Sequence, residues 1–217
     1  PAFVSWPFVE LGVSDVQSPL ARAPDPAAML NLPNLLTLFR ILLVPLLVVA
    51  LLTKFEGKEY VALGLFLLAA LTDVLDGYLA RRQRQITRLG KLLDPAADKI
   101  LMSAAFISLV ELGVVPAWMA VVIVAREFAV SALRSFAASD AVVIAADLSG
   151  KVKTAVHTVA VSVCIIHERL SDLGAQDPPW LVPTVLWASV AISVISGLDY
   201  FIRYGRLVLA RETPLAP

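Results

Sequence analysis

Six apolar stretches close to membrane-crossing length, separated by short charged links, constrain this chain more than any other feature. At about 1.5 Å rise per residue, a helix needs roughly 20 apolar residues to cross the hydrocarbon of a bilayer. Stretches near 34–53, 60–80, 92–113, 116–138, 151–168 and 180–203 reach or approach that length. The 217 residues are 59% hydrophobic and 17% charged, with a mean hydropathy of +0.80; soluble proteins carry roughly 25% charge. One soluble core of this size cannot absorb that much apolar surface, so the expected fold is an all-α integral membrane protein with six transmembrane helices.

Charge distribution predicts the orientation, because Lys and Arg collect on the cytoplasmic side of short loops. The link 81–91 holds Arg81, Arg82, Arg84, Arg88 and Lys91; the region 134–153 adds Arg134, Lys151 and Lys153; the end adds Arg203, Arg206 and Arg211. The alternate links are poorer: 54–59 balances two Lys with two Glu, 111–116 has no Lys or Arg, and 167–179 has Arg169 alone. Both termini and the 81–91 link are therefore expected in the cytoplasm. Lys plus Arg equal Asp plus Glu at 18 each, so total charge makes no case for nucleic acid.

The flanks and isolated polar residues say less. Residues 1–30 do not read as a signal peptide, and five prolines (Pro1, Pro7, Pro19, Pro24, Pro26) argue against a continuous helix there. They are expected to form an interfacial or disordered arm. Residues 31–206 form the expected six-helix transmembrane domain, and 207–217 a cytoplasmic tail. The single Cys164 excludes an internal disulfide and reads as a packed, inert thiol. His157 and His167 are expected to be hydrogen-bonded packing or interface residues, Asp140 and Asp147 solvated loop charges.

The third and fourth stretches are interrupted by Asp94, Asp98, Lys99, Arg126, Glu127 and Arg134. Ionisable groups inside a membrane are costly enough to be presumed functional. From the end of the second stretch into the third the chain reads DVLDGYLARRQRQITRLGKLLDPAAD, with Asp73, Asp76, Asp94 and Asp98 at helical spacing. Asp73 and Asp76 lie about 60° apart around a helix, and Asp94 and Asp98 about 40°, so each pair shares a face. The short link makes the two helices antiparallel neighbours, and the two faces converge near the cytoplasmic membrane edge.

Four carboxylates in a partly dehydrated pocket cannot all remain ionised unaided. Two divalent cations balance them, and an all-oxygen ligand set favours Mg²⁺ or Mn²⁺ over Zn²⁺. Such ions also bind a diphosphate and offset charge on a transferred phosphoryl group. Gly77 and Ala80 lie on the Asp73 face and leave room for a nucleotide, Gly90 permits close approach, and Arg81 is placed to meet phosphate oxygens. The competing structural reading is that the aspartates are protonated or paired with Arg81, Arg126 or Arg134 to fix helix packing.

Together these residues form D-x2-D-G-x2-A-R-x8-G-x3-D-x3-D, which resembles the signature of the CDP-alcohol phosphotransferases at all eight positions. The resemblance implies a six-helix membrane fold, a homodimer and an active site open to the cytoplasm. It also implies that Asp73, Asp76 and Asp94 are metal ligands and that Asp98 both approaches the metals and acts as base. Asp98 would take the proton of the acceptor hydroxyl, which attacks the β-phosphorus of CDP-diacylglycerol and expels CMP. Gly77, Ala80 and Arg81 would lie along the CDP moiety.

Three further segments, NLPNLLTLFR at 31–40, AREFAVSALR at 125–134 and GKVKT at 150–154, are similar to the bacterial phosphatidylglycerophosphate synthase branch of that family. The branch implies a bacterial inner-membrane protein whose acceptor is sn-glycerol 3-phosphate. Arg126, Arg134 and Lys151 supply cations beyond those needed for CDP, as an acceptor bearing its own phosphate requires. Each has a bland alternative: an ion pair with Glu127, a snorkelling arginine, and an ordinary cytoplasmic lysine. Thr37, Arg40 and Tyr200 match positions expected to border the pocket, and Asn34 either caps the first helix or touches substrate. Inositol phosphate is the rival acceptor. The rival from another class is an ion-binding transporter using the aspartates as a relay, although the array sits beside a basic loop and no internal repeat is visible.

Overall fold

The computed structural model of the protein describes residues 32–83, 88–139, 148–172 and 178–212. They form six helices: α1 Leu32–Leu52, α2 Lys58–Gln83, α3 Arg88–Glu111, α4 Ala117–Ser139, α5 Leu148–Asp172 and α6 Leu181–Glu212. Each covers one predicted apolar stretch. All regular secondary structure among the described residues is helical, as expected.

The ends differ from the predicted ones for physical reasons. Helix α6 continues to Glu212, nine residues beyond the expected span end at 203 and into the predicted tail. Hydropathy marks only the apolar part of a helix, and nothing in RYGRLVLARE breaks one before Pro214. Asn34 falls on the third residue of α1, inside the helix, which removes its reading as the N-cap. The predicted arm 1–30, and Asp140 and Asp147, lie outside the described residues.

Between α3 and α4 the turn is set by Gly113, whose φ of 77° is a left-handed conformation that side chains oppose. Its N–H bonds the Val110 carbonyl at 2.9 Å and the Val114 N–H bonds the Leu109 carbonyl at 3.0 Å. That pair of bonds closes a Schellman cap and satisfies the last carbonyls of α3. Pro116 then opens α4, its carbonyl accepting the Met119 N–H at 3.0 Å.

Helix α1 packs on both α2 and α3, α2 also meets α3 and α5, α3 meets α4 and α5, and α6 packs on α4 and α5. Leu47, Phe66, Leu101, Phe106, Leu109, Ile123, Val161 and Ile165 form the centre of the shared core. The outer faces are apolar too: Ile195 is 68% and Val121 64% exposed, alongside Leu42, Leu46, Ile107 and Leu198. Helices that are apolar on both inner and outer faces suit a bundle solvated by lipid.

Among the described residues, two helical stretches, Leu35–Leu52 and Leu181–Arg203, are long and apolar enough to cross a membrane. Val152–His167 is apolar but shorter. The remaining helices carry charge within their apolar runs: Asp73 on α2, Asp98 and Lys99 on α3, and Arg126, Glu127 and Arg134 on α4. At one end of the bundle, buried Glu59 of α2 lies 3.9 Å from both Lys58 and Arg169 of α5, and Arg169 sits over the Tyr60 ring at 5.5 Å.

Candidate active site

The site begins with α1. Thr37, Arg40, Leu43, Val44, Leu47, Ala50 and Leu51 recur at helical spacing and bury one face of the helix, with Thr37 and Arg40 fully enclosed. A buried guanidinium is tolerated only where it is paired. Arg40 meets α2 twice: Nε donates to the Ala69 carbonyl at 3.3 Å, and Nη1 lies 2.8 Å from Asp73 Oδ1. The Asp73 side chain remains 37% exposed, so the pair anchors a carboxylate that still faces open space.

On α3, half-buried Asp98 lies in the electrostatic field of Asp73, Lys153, Glu127 and Arg40. Its neighbour Lys99 feels Asp98, Glu127, Lys153 and Arg134. Charges from α1, α2, α4 and α5 therefore act together on one carboxylate of α3. The backbones of Asp76, Gly77, Ala80 and Arg81 belong to α2, that of Asp94 to α3 and that of Lys151 to α5. Their side chains lie outside the described residues.

Among the described residues no group of three His, Cys, Asp or Glu side chains is assembled. The described half of the array is Asp73 and Asp98, two carboxylates on two helices that interact electrostatically. Oxygen donors of this kind fit a hard divalent cation.

Helices α4, α5 and α6 are tied by a polar network. Arg126 Nε donates to the Ser193 carbonyl at 3.2 Å, Nη2 to Ser196 Oγ at 2.8 Å and Nη1 to Glu127 Oε1 at 3.0 Å. Lys153 Nζ reaches both Glu127 oxygens at 2.6 Å. His157 Nε2 meets Ser193 Oγ at 3.0 Å and packs edge-on to Phe106 at 5.9 Å. Room for Arg126 comes from Gly197, where a Cβ would stand 3.1 Å from Arg126 Cγ.

Arg134 and Tyr200, separately flagged in the sequence, are partners. Arg134 Nε donates to the Tyr200 hydroxyl at 2.9 Å, and its guanidinium carbon lies 5.1 Å from the ring centre. Of the three predicted acceptor cations, Arg126 and Arg134 both contact α6. Sequence reasoning did not single out Lys153, Ser193, Ser196 or Gly197. A signal was present: Ser189, Ser193, Ser196 and Gly197 repeat at helical spacing along one face of an otherwise apolar α6, as small residues at close helix contacts do.

A six-helix bundle with the eight-position aspartate signature across α2 and α3 defines a class of membrane transferase. Residues 30–195 match the family model for CDP-alcohol phosphatidyltransferase, and the chain belongs to that family. It is 40% identical over 185 residues to the CDP-diacylglycerol--glycerol-3-phosphate 3-phosphatidyltransferase of Bacillus subtilis, covering 80% of this chain and 94% of that protein. A Rickettsia felis protein of the same name is 35% identical, covering 79% and 93%. A probable phosphatidylglycerophosphate synthase of Mycobacterium tuberculosis is 36% identical, covering 82% and 83%.

Proposed function

We propose that this protein transfers the phosphatidyl group of CDP-diacylglycerol to sn-glycerol 3-phosphate, forming phosphatidylglycerol phosphate and releasing CMP. The observation that carries this reading is the complete eight-position signature in a chain 40% identical to a relative of that named activity over 94% of the relative's length. The match extends over nearly the whole length of that relative, beyond the signature segment alone.

In this reading Asp73, Asp76, Asp94 and Asp98 hold two divalent ions, Mg²⁺ or Mn²⁺. When bound, the ions neutralise the diphosphate and draw charge from the transferred phosphoryl group. Arg40 holds one oxygen of Asp73, which fixes the direction of the carboxylate. Gly77 and Ala80 admit the CDP moiety against α2, and Arg81 meets its phosphate oxygens.

Asp98 takes the proton from the acceptor hydroxyl. The hydroxyl oxygen then bonds to the β-phosphorus, and the bond from that phosphorus to the bridging oxygen breaks, its electron pair leaving with CMP. Proton transfer to a positioned carboxylate of this kind contributes about 10²–10⁴-fold in rate. The acceptor phosphate is met by Arg134, Lys151 and Arg126. A guanidinium has five N–H donors, so Arg126 retains donors beyond its three bonds within the protein.

Residues 31–206 make up the catalytic unit, which spans the inner membrane six times as a homodimer, with the aspartates facing the cytoplasm. Support for that orientation is the excess of Lys and Arg in 81–91 and 134–153. Purified protein supplied with CDP-diacylglycerol and Mg²⁺ should release CMP with sn-glycerol 3-phosphate. Turnover with inositol phosphate and none with glycerol 3-phosphate would reject the acceptor assignment.

A further inference from the structure

We infer that Glu127 is a positioning residue that holds Lys153 and Arg126 as a fixed cation pair on the acceptor side of the reaction. The inference deepens the proposed function and rests on its acceptor assignment.

The bonds of the network join α4, α5 and α6 pairwise. Glu127 of α4 accepts Lys153 Nζ of α5 on both oxygens and Arg126 Nη1 on one. Arg126 reaches α6 at the Ser193 carbonyl and Ser196 Oγ, and Ser193 Oγ returns to α5 through His157. Each of the three charged side chains is only 12–13% exposed. Two guanidinium or ammonium charges against one carboxylate leave the cluster one positive charge in excess.

Placement separates this cluster from ordinary packing glue. Both Glu127 and Lys153 act electrostatically on Asp98, the proposed base, and on its neighbour Lys99. A cluster with surplus positive charge beside the base suits an anionic acceptor. An ammonium is a compact point charge on a flexible stem, so Lys153 needs an external restraint to present its remaining N–H in one direction. Glu127 supplies it with two short, charge-assisted bonds. Removing the carboxylate leaves two neighbouring cations to repel each other and spread.

The test uses the full chain in detergent or nanodiscs, with Glu127→Gln and Glu127→Asp beside wild type. Glu127→Gln should raise KM for glycerol 3-phosphate about tenfold, the loss expected of one charge-assisted hydrogen bond. The KM for CDP-diacylglycerol should stay near wild type, and Glu127→Asp should recover part of the loss. A purely structural role predicts instead less folded protein with both KM values unchanged in the folded fraction.

Acetylation of Lys153 by an amine-reactive ester, followed by mass spectrometry, provides a readout independent of turnover. Lys153 should react several-fold faster in Glu127→Gln than in wild type. Equal acetylation rates, or equal rises in both KM values, would overturn the inference. If Glu127→Gln does not fold, Glu127→Asp and wild-type protection of Lys153 by glycerol 3-phosphate decide the same question. If wild type shows no turnover with glycerol 3-phosphate, the acceptor assignment fails, while the acetylation rates still determine whether Glu127 restrains Lys153.

Discussion

Arg40 of α1 places Nη1 2.8 Å from Asp73 Oδ1 of α2, with the arginine completely buried and the aspartate over a third exposed. The first carboxylate of the signature is thus oriented from a different helix, through a residue that bears no part of the signature itself.

Replacing Arg40 by Gln should lower CMP release by about 10–100-fold, as loss of a residue that orients a metal-binding carboxylate does. The Mg²⁺ dependence should change with it, which a titration of rate against Mg²⁺ concentration will show. An Mg²⁺ profile identical to wild type would contradict the orienting role of Arg40.

Asp98→Asn removes the proposed base while keeping the shape of the side chain. CMP release should fall by about 10²–10⁴-fold, with CDP-diacylglycerol binding retained. Near wild-type turnover by Asp98→Asn would remove Asp98 from the role of base.

Chelation gives a third check. EDTA should abolish turnover, and Mg²⁺ or Mn²⁺ should restore it, because hard oxygen ligands select such ions. Full activity in excess chelator would show that the carboxylates work without a divalent ion.

Gly197→Ala tests the clearance for Arg126. Alanine normally favours a helix interior over glycine by about 1 kcal/mol, yet here the added Cβ would stand 3.1 Å from Arg126 Cγ. The substitution should raise KM for glycerol 3-phosphate with helical content unchanged. Gly64→Ala is the matched control, since a Cβ there meets nothing within 4 Å, and its kinetics should equal wild type.

Gly113→Ala addresses the turn between α3 and α4. With φ at 77°, a side chain there should cost about 1–2 kcal/mol, read as a lower unfolding midpoint in an SDS titration. An unchanged midpoint would mean that the turn relaxes without strain.

Much of this architecture was legible because its causes are local. An apolar run of sufficient length becomes a helix wherever it lies, so the six helices follow directly from hydropathy. Helix ends were less legible: α6 reaches Glu212 because helix formation persists after the apolar stretch stops. Asp73 and Asp98 were identifiable since their spacing is a property of the chain, and Arg126 and Arg134 since charge in an apolar run stands out. Lys153 was read only as a loop-side cation because its meaning depends on Glu127, 26 residues away in sequence and 2.6 Å away in space.

The sequence by itself determined the helical bundle, the aspartate signature and therefore the reaction class. Tertiary structure decided the partnerships: Arg40 with Asp73, Arg134 with Tyr200, and Glu127 between Arg126 and Lys153. Helical periodicity tells which residues share a face of one helix, whereas these pairs depend on which helix packs beside which and at what rotation. That choice is made by the fit of the buried faces, including the space left by Gly197 on α6.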